Sequence, residues 1–215
     1  MHEYVKKIKN IFEKNKNPEK IYWAEKYLRF QFKSFGISTP ERKQIYSEFF
    51  KSHGFPDKKD FKQIITELWN DEYRDMQYFA MMLLDKYIKT ADKDFIEFLE
   101  YLILNKSWWD SVDYIAPNLV RKHFERFAEL IPIYTEKWIN SDNIWLQRSA
   151  ILFQLNRKKN TDTDLLFRMI LRRKDSKEFF VQKAMGWSLR QYARTDSQIV
   201  LDFVNKNPDL PSLTK

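Results

Sequence analysis

Signals that start a helix recur along this chain at a nearly fixed interval, and that interval limits the fold more than any other feature. Thr39-Pro40-Glu41 supplies a cap, a proline at the first helical position and an acid in the first turn. Asp71-Glu72 opens a stretch to Tyr87, and Ser107-Trp108-Trp109-Asp110 reads as a capping box. Ser141-Asp142 opens a stretch to Leu155, and Asp175-x-x-Glu178 opens one to Tyr192. The openings at 39, 71, 107, 141 and 175 lie 32, 36, 34 and 34 residues apart. Each interval holds a second stretch with helical apolar periodicity: Asp60 to Trp69, Asp92 to Leu104, Phe127 to Trp138, Asp162 to Leu171 and Asp196 to Asn205. Trp69-Asn70-Asp71 is echoed by Trp138-Ile139-Asn140, and Gln77-x-x-Ala80 by Gln147-x-x-Ala150.

Two helices per unit of about 35 residues predict an all-α fold, an α-solenoid in which each repeat buries its apolar face against its neighbours. Tetratricopeptide and ankyrin signatures are missing, so HEAT-like repeats are expected, forming one domain over 1–215 with a concave groove. Pro208 to Lys215 (PDLPSLTK) reads as the cap of a partner helix that does not follow, so the last repeat is expected to be incomplete.

Composition agrees with this and removes several chemistries. Hydrophobic residues at 43% and aromatics at 17% exclude disorder, and 3 glycines argue against a turn-rich β fold and against glycine-rich phosphate loops. There is no cysteine, which excludes disulfides, thiol catalysis and iron–sulfur clusters. His2, His53 and His123 lie far apart without ligand spacing, so neither a metal nor a Ser-His-Asp triad is expected, nor any cofactor. Lys+Arg 38 against Asp+Glu 30 leaves +8, a surplus that favours a polyanionic partner, most simply nucleic acid. The N-terminus places Val5, Ile8, Ile11 and Phe12 at helical spacing, an amphipathic helix in place of a signal peptide. The longest apolar run, Phe79 to Leu84, is too short to span a bilayer. A soluble, cytoplasmic monomer with no membrane contact is the expectation.

Steps of 35 residues through the middle of the opening helices give Lys43, Tyr78, Asp113, Arg148 and Lys183. If every opening helix holds the same place in its repeat, these side chains form a column along one surface. Trp109 stands four residues before Asp113, Trp187 four after Lys183, and Trp145 three before Arg148. One carboxylate among cations and tryptophans suits a nucleic-acid backbone: the cations neutralise phosphates and the aromatics face sugars or bases. No base-reading motif is present, so recognition through the backbone is expected. Taken singly, tryptophans at helical spacing are usually core and column charges usually solvated. Trp108 and Trp138 are expected to be buried, Trp145 fits either place, and Asp110 reads as a capping acid.

At these residues the sequence resembles the AlkD-type DNA alkylation repair glycosylases, a HEAT-like repeat family. The resemblance covers essentially the whole chain. It is most specific in Lys106 to Asp113 (KSWWDSVD), Ser141 to Ala150 (SDNIWLQRSA) and Ser176 to Trp187 (SKEFFVQKAMGW), with Thr39-Pro40-Glu41-Arg42 in support. It implies excision of positively charged alkylated purines, such as 3-methyladenine and 7-methylguanine, from double-stranded DNA, and roles for Trp109, Asp113, Arg148 and Trp187. It departs at the C-terminus, where the family carries a further helix.

The implied chemistry fits the residues. Breaking an N-glycosidic bond passes through an oxocarbenium-like sugar, which a carboxylate such as Asp113 stabilises. A cationic base leaves as a neutral molecule and needs no second acid. Arg148 is expected to grip a phosphate, and Lys183 to do the same in preference to forming a Schiff base, so a monofunctional glycosylase is expected. The readings from other classes are a non-enzymatic helical scaffold that binds nucleic acid or protein through the same surface, and a pure protein-interaction solenoid.

Overall fold

A computed structural model of the chain describes residues 1–214, and Lys215, the end of the stretch expected to be an unpartnered cap, lies outside the described residues. Among the described residues there are helices and no strand, with one isolated bridge between Lys33 and Tyr73. The backbone divides into two compact units, 1–87 and 88–215. The boundary falls inside the second expected repeat, where no shift of composition marks it.

The first unit contains α1 (Glu3–Lys14), α2 (Pro18–Tyr27), α3 (Thr39–His53), α4 (Phe61–Asn70) and α5 (Arg74–Tyr87). α1 is the expected amphipathic helix: Tyr4, Val5, Ile8 and Phe12 are buried, with Ile11 at the edge of that face. The core gathers around Phe79 of α5, whose ring lies 5.2 Å from Tyr46, 5.4 Å from Phe49 and 6.5 Å from Phe12. Each such buried ring contributes roughly 1.5–3 kcal/mol by leaving water. The cap of α3 is Ser38, one residue before the expected Thr39. Its backbone N–H donates to Glu41 Oε2 at 2.7 Å, and Pro40 sits in the first turn.

The second unit contains α6 (Phe95–Leu104), α7 (Trp109–Tyr114), a π-helical turn (Ile115–Val120), α8 (Arg121–Arg126), α9 (Leu130–Ile139), α10 (Ile144–Leu152), α11 (Thr163–Arg172), α12 (Phe179–Ala193) and α13 (Ser197–Lys206). All five expected second helices are present, as α4, α6, α9, α11 and α13, within a few residues of the expected bounds. α10 is buried from Trp145 through Leu152 because it packs against α7, α9, α11 and α12. Phe124 joins α8 to this core, 5.3 Å from Phe153 and 6.0 Å from Trp138, whose indole N–H donates to Glu100 Oε2 at 2.7 Å. The tail folds back on α12. A side chain at Gly186 would meet the Leu213 carbonyl at 2.4 Å, so glycine is needed there for close approach.

The glutamine echo has a structural cause. The Gln77 side-chain N–H donates to the Asp71 carbonyl at 2.9 Å, Gln147 to Ser141 at 2.7 Å and Gln182 to Ser176 at 2.7 Å. In each case a glutamine in the opening helix closes the loop six residues earlier. Lone loop carbonyls buried without such a donor would cost about 1–3 kcal/mol. Two expected openings shift for similar local reasons. Asn143, two residues past Ser141, caps α10 by accepting from the Trp145 and Leu146 N–H groups. The capping box expected at Ser107 does not form: the Ser107 hydroxyl donates back to the Ile103 carbonyl, and α7 starts after Trp108 with no side-chain cap.

Candidate functional site

Three consecutive opening helices of the second unit meet at one ion pair. Arg148 on α10 donates from Nε to Asp113 Oδ1 at 2.7 Å and from Nη2 to Oδ2 at 2.9 Å, while its Nη1 donates to the Phe180 carbonyl in the first turn of α12. The arginine is 4% exposed, and the Asp113 side chain on α7 is 18% exposed. The bidentate fork uses two of about four acceptor positions on the carboxylate, so the group is fixed by Arg148 while two acceptor positions stay unfilled by the fold. Burial is the largest influence on Asp113 and pushes its carboxyl above the usual carboxylate range. Arg148 opposes this by hydrogen bond and charge, and Asp110, three residues earlier, adds to the upward push.

An aromatic cluster adjoins the pair through Phe180. Trp108, Trp145 and Phe180 lie 5.0 to 5.7 Å apart, centroid to centroid, and the Arg148 guanidinium is 6.0 Å from the Phe180 ring. The Trp108 indole N–H is buried here with no acceptor among the described residues. The loop that delivers Trp108 turns sharply at Lys106, whose φ of 51° is left-handed and costs about 1–2 kcal/mol for a residue with a side chain.

The other expected site residues are distributed as follows. Trp109 is half-buried on α7, one turn before Asp113, and Trp187 is half-buried on α12. Lys183 is exposed one turn before Trp187, its ammonium 5.6 Å from the Phe179 ring. Lys43 (α3, exposed) and Tyr78 (α5, half-buried) belong to the first unit, where the Arg42 guanidinium stacks 4.4 Å from the Tyr78 ring. Of the five residues of the column, the structure brings Asp113 and Arg148 into contact. Trp145 is core at 9% exposure, Trp138 is fully buried as expected, and Trp108 is half-buried. Asp110 belongs to no capping box with Ser107; it faces Asp113 electrostatically.

The expected phosphate role of Arg148 meets a physical obstacle, because all three of its donor nitrogens already serve protein oxygens in a buried place. Three contributions were missed in the sequence. Phe180 supplies a ring and a carbonyl, and Arg190 and Arg194 continue the face of α12 that carries Lys183 and Trp187. Spacings of 4, 3 and 4 residues put these four side chains on one stripe, and the three cations are exposed without a carboxylate partner among the described residues. That spacing was readable; the carbonyl was not. Among the described residues no group of three or more His, Asp or Glu side chains could hold a metal ion, and no helix is long and apolar enough to cross a membrane.

The sequence model of a family described as "DNA alkylation repair enzyme" matches residues 8–215. A solved structure, described as a predicted DNA alkylation repair enzyme from Enterococcus faecalis, is similar over 93% of this chain and 92% of its own, at 30% identity and a TM-score of 0.84. No curated protein matches the sequence.

Proposed function

The chain belongs to the DNA alkylation repair enzyme family, and from that premise we propose that it is a monofunctional DNA glycosylase for cationic alkylated purines, of the 3-methyladenine and 7-methylguanine type, in double-stranded DNA. The observation that carries this reading is the Asp113 carboxylate, fixed by Arg148 and partly exposed, with acceptor positions to spare.

In the reaction the C1′–N bond breaks, its electron pair leaves with the purine and neutralises the purine's charge, and a positive sugar remains. Asp113 stabilises that charge and orients water, which adds to C1′ and gives up a proton. The products are a neutral base and an abasic site. A fixed carboxylate of this kind is worth about 10²-fold or more in rate, because it needs no reorganisation when charge develops. Trp109 and Trp187 face the deoxyribose and add about 0.5–2 kcal/mol each through their ring faces. Arg148 positions Asp113 and opposes the upward push of burial on its carboxyl, and its nitrogens serve Asp113 and the Phe180 carbonyl in place of a phosphate. Lys183, with Arg190 and Arg194, tracks the strand backbone, and Lys43 and Tyr78 serve the DNA from the first unit. The protein's repeats are of the HEAT-like kind, and it works as a cytoplasmic monomer.

Incubation with methylated duplex DNA and chromatography of the released bases tests the reading. Free 7-methylguanine or 3-methyladenine above the protein-free background is expected, with no strand cleavage of the lyase type. Absence of released base would leave a DNA-binding scaffold. Uracil in the same duplex should stay in place, because a neutral leaving group needs a general acid in addition to the carboxylate that meets the sugar.

A further inference from the structure

Among the described residues of the second unit, the helix that carries Asp113 is the one opening helix that changes its winding partway along. α12 runs 15 residues in plain α form, whereas α7 gives way after 6 residues to the π-helical turn Ile115–Val120, and α8 resumes for 6 more. The turn is centred on Pro117, which follows Asp113 by four residues. In an α-helix that spacing matters twice: a proline has no N–H to give to the carbonyl four residues back, and its ring presses on the same oxygen. The oxygen in question is Asp113's own. Wider spacing follows directly, with the Arg121 N–H reaching the Ala116 carbonyl five residues back. Side chains satisfy carbonyls along the turn: Asn118 Nδ2 donates to Tyr114 at 2.9 Å and Arg121 Nε to Pro117 at 2.9 Å.

The downstream half cannot absorb the change. Phe124 of α8 is buried, His123 Nε2 bonds the Lys93 carbonyl at 2.9 Å, and Arg126 donates to the Ile88 and Ala91 carbonyls at 2.8 Å each. The change of winding therefore falls at the end of α7, where Asp113 stands. We infer that Pro117 is a positioning residue for Asp113: by denying that residue an α-helical bond it forces the π turn, which sets where the carboxylate meets the Arg148 fork and where Trp109 stands beside it. The inference rests on the reading of Asp113 as the carboxylate that meets the sugar.

The test is Pro117→Ala, which fits the buried site and supplies the missing N–H. Two readouts are taken on the full chain. One is the titration of the Asp113 carboxyl followed by carbon NMR, with the groups that act on it named: Arg148 from α10 and Asp110 from its own helix. The other is single-turnover release of 7-methylguanine together with affinity for the methylated duplex. The expected result is a displaced Asp113 titration and release slower by about tenfold or more, the scale that a shift near 1 Å produces, with duplex affinity unchanged. Wild-type titration and wild-type release in the variant would overturn the inference. If Pro117→Ala lost its fold, Asn118→Ala, which removes only the donor to Tyr114, should shift the titration in the same direction; an unmoved titration there would overturn it as well. If the unaltered protein released no base, the glycosylase reading would fail, while the Asp113 titration would still decide the positioning role.

Discussion

The two units each hold a buried Arg–Asp pair, and the pairs are built for different work. In the first unit Asp75 is fully buried and surrounded by donors: Ser34 Oγ at 3.0 Å, the Phe35 N–H at 2.9 Å and Arg42 Nη1 at 3.3 Å. The same Arg42 nitrogen donates to the Ile37 carbonyl at 2.8 Å, so the pair ties the segment between α2 and α3 to α5. In the second unit, among the described residues, every side-chain hydrogen bond to the Asp113 carboxylate comes from Arg148, and the carboxylate stays partly exposed with acceptor positions to spare. A carboxylate with its acceptor positions filled by its own fold is a fastener. One that is fixed and has positions to spare is placed to act on something else.

The largest effect expected from this difference comes from exchanging the charge for an amide in each pair. Asp113→Asn should lower base release per folded molecule by about 10²-fold or more, because it removes a preorganised charge, and it should also cost stability by leaving the buried Arg148 guanidinium without its counter-charge. Asp75→Asn should differ in the release it leaves. Its stability should fall by about 3–5 kcal/mol, the scale for breaking a buried pair, while release per folded molecule holds. Denaturant unfolding alongside a release assay separates the two outcomes. Near-normal release by Asp113→Asn would remove the catalytic role and with it the contrast.

Much of this was legible in the sequence, and the part that was not has physical causes. Helix pairs and their interval follow from apolar periodicity and capping residues, which are local. Cap positions slipped at Ser38 and Asn143 because neighbouring residues there are equally able to cap, and the choice depends on which takes an extended backbone. The 35-residue step named both Asp113 and Arg148, yet it treated them as two separate ligands of DNA. A repeat interval tells which residues are neighbours and not how far an arginine reaches. The Phe180 carbonyl that completes the fork is a backbone atom, for which sequence carries no letter.

Arg148→Ala comes next in size. The expected loss of release is about tenfold, since the carboxylate loses its alignment but not its existence. Removal of the influence that lowers the Asp113 carboxyl should also move the acid limb of the release profile to higher pH. Salt dependence of duplex binding should be unchanged. Lys183→Ala supplies the counterpart: an exposed cation lost from a phosphate contact reduces the salt slope by about one unit and leaves the acid limb where it was. If Arg148→Ala reduced the slope instead, the arginine would be a phosphate ligand in the complex and the pair would open on binding.

The smallest expected effect sharpens the account of Asp113 itself. Three influences act on its carboxyl: burial raises it most, Arg148 lowers it, and Asp110 raises it. Release requires the ionised form, so with a carboxyl held above the usual range activity is lost, as pH falls, at a higher pH than an ordinary carboxylate would set. Stability runs the other way. A carboxyl raised in the folded state favours folding below its unfolded value, near 3.9, and that contribution is lost as pH rises through the folded value. Asp110→Asn removes one raising influence and leaves burial and Arg148 in place. The acid limb of release should therefore move to lower pH, with the plateau at neutral pH unchanged, because Asp113 is ionised there in both proteins. The same substitution should make folding less dependent on pH over the window between the unfolded and folded values. A pH profile of single-turnover release, paired with denaturant unfolding across that window, checks both. An acid limb that stayed in place would mean that a group other than Asp113 limits release at low pH.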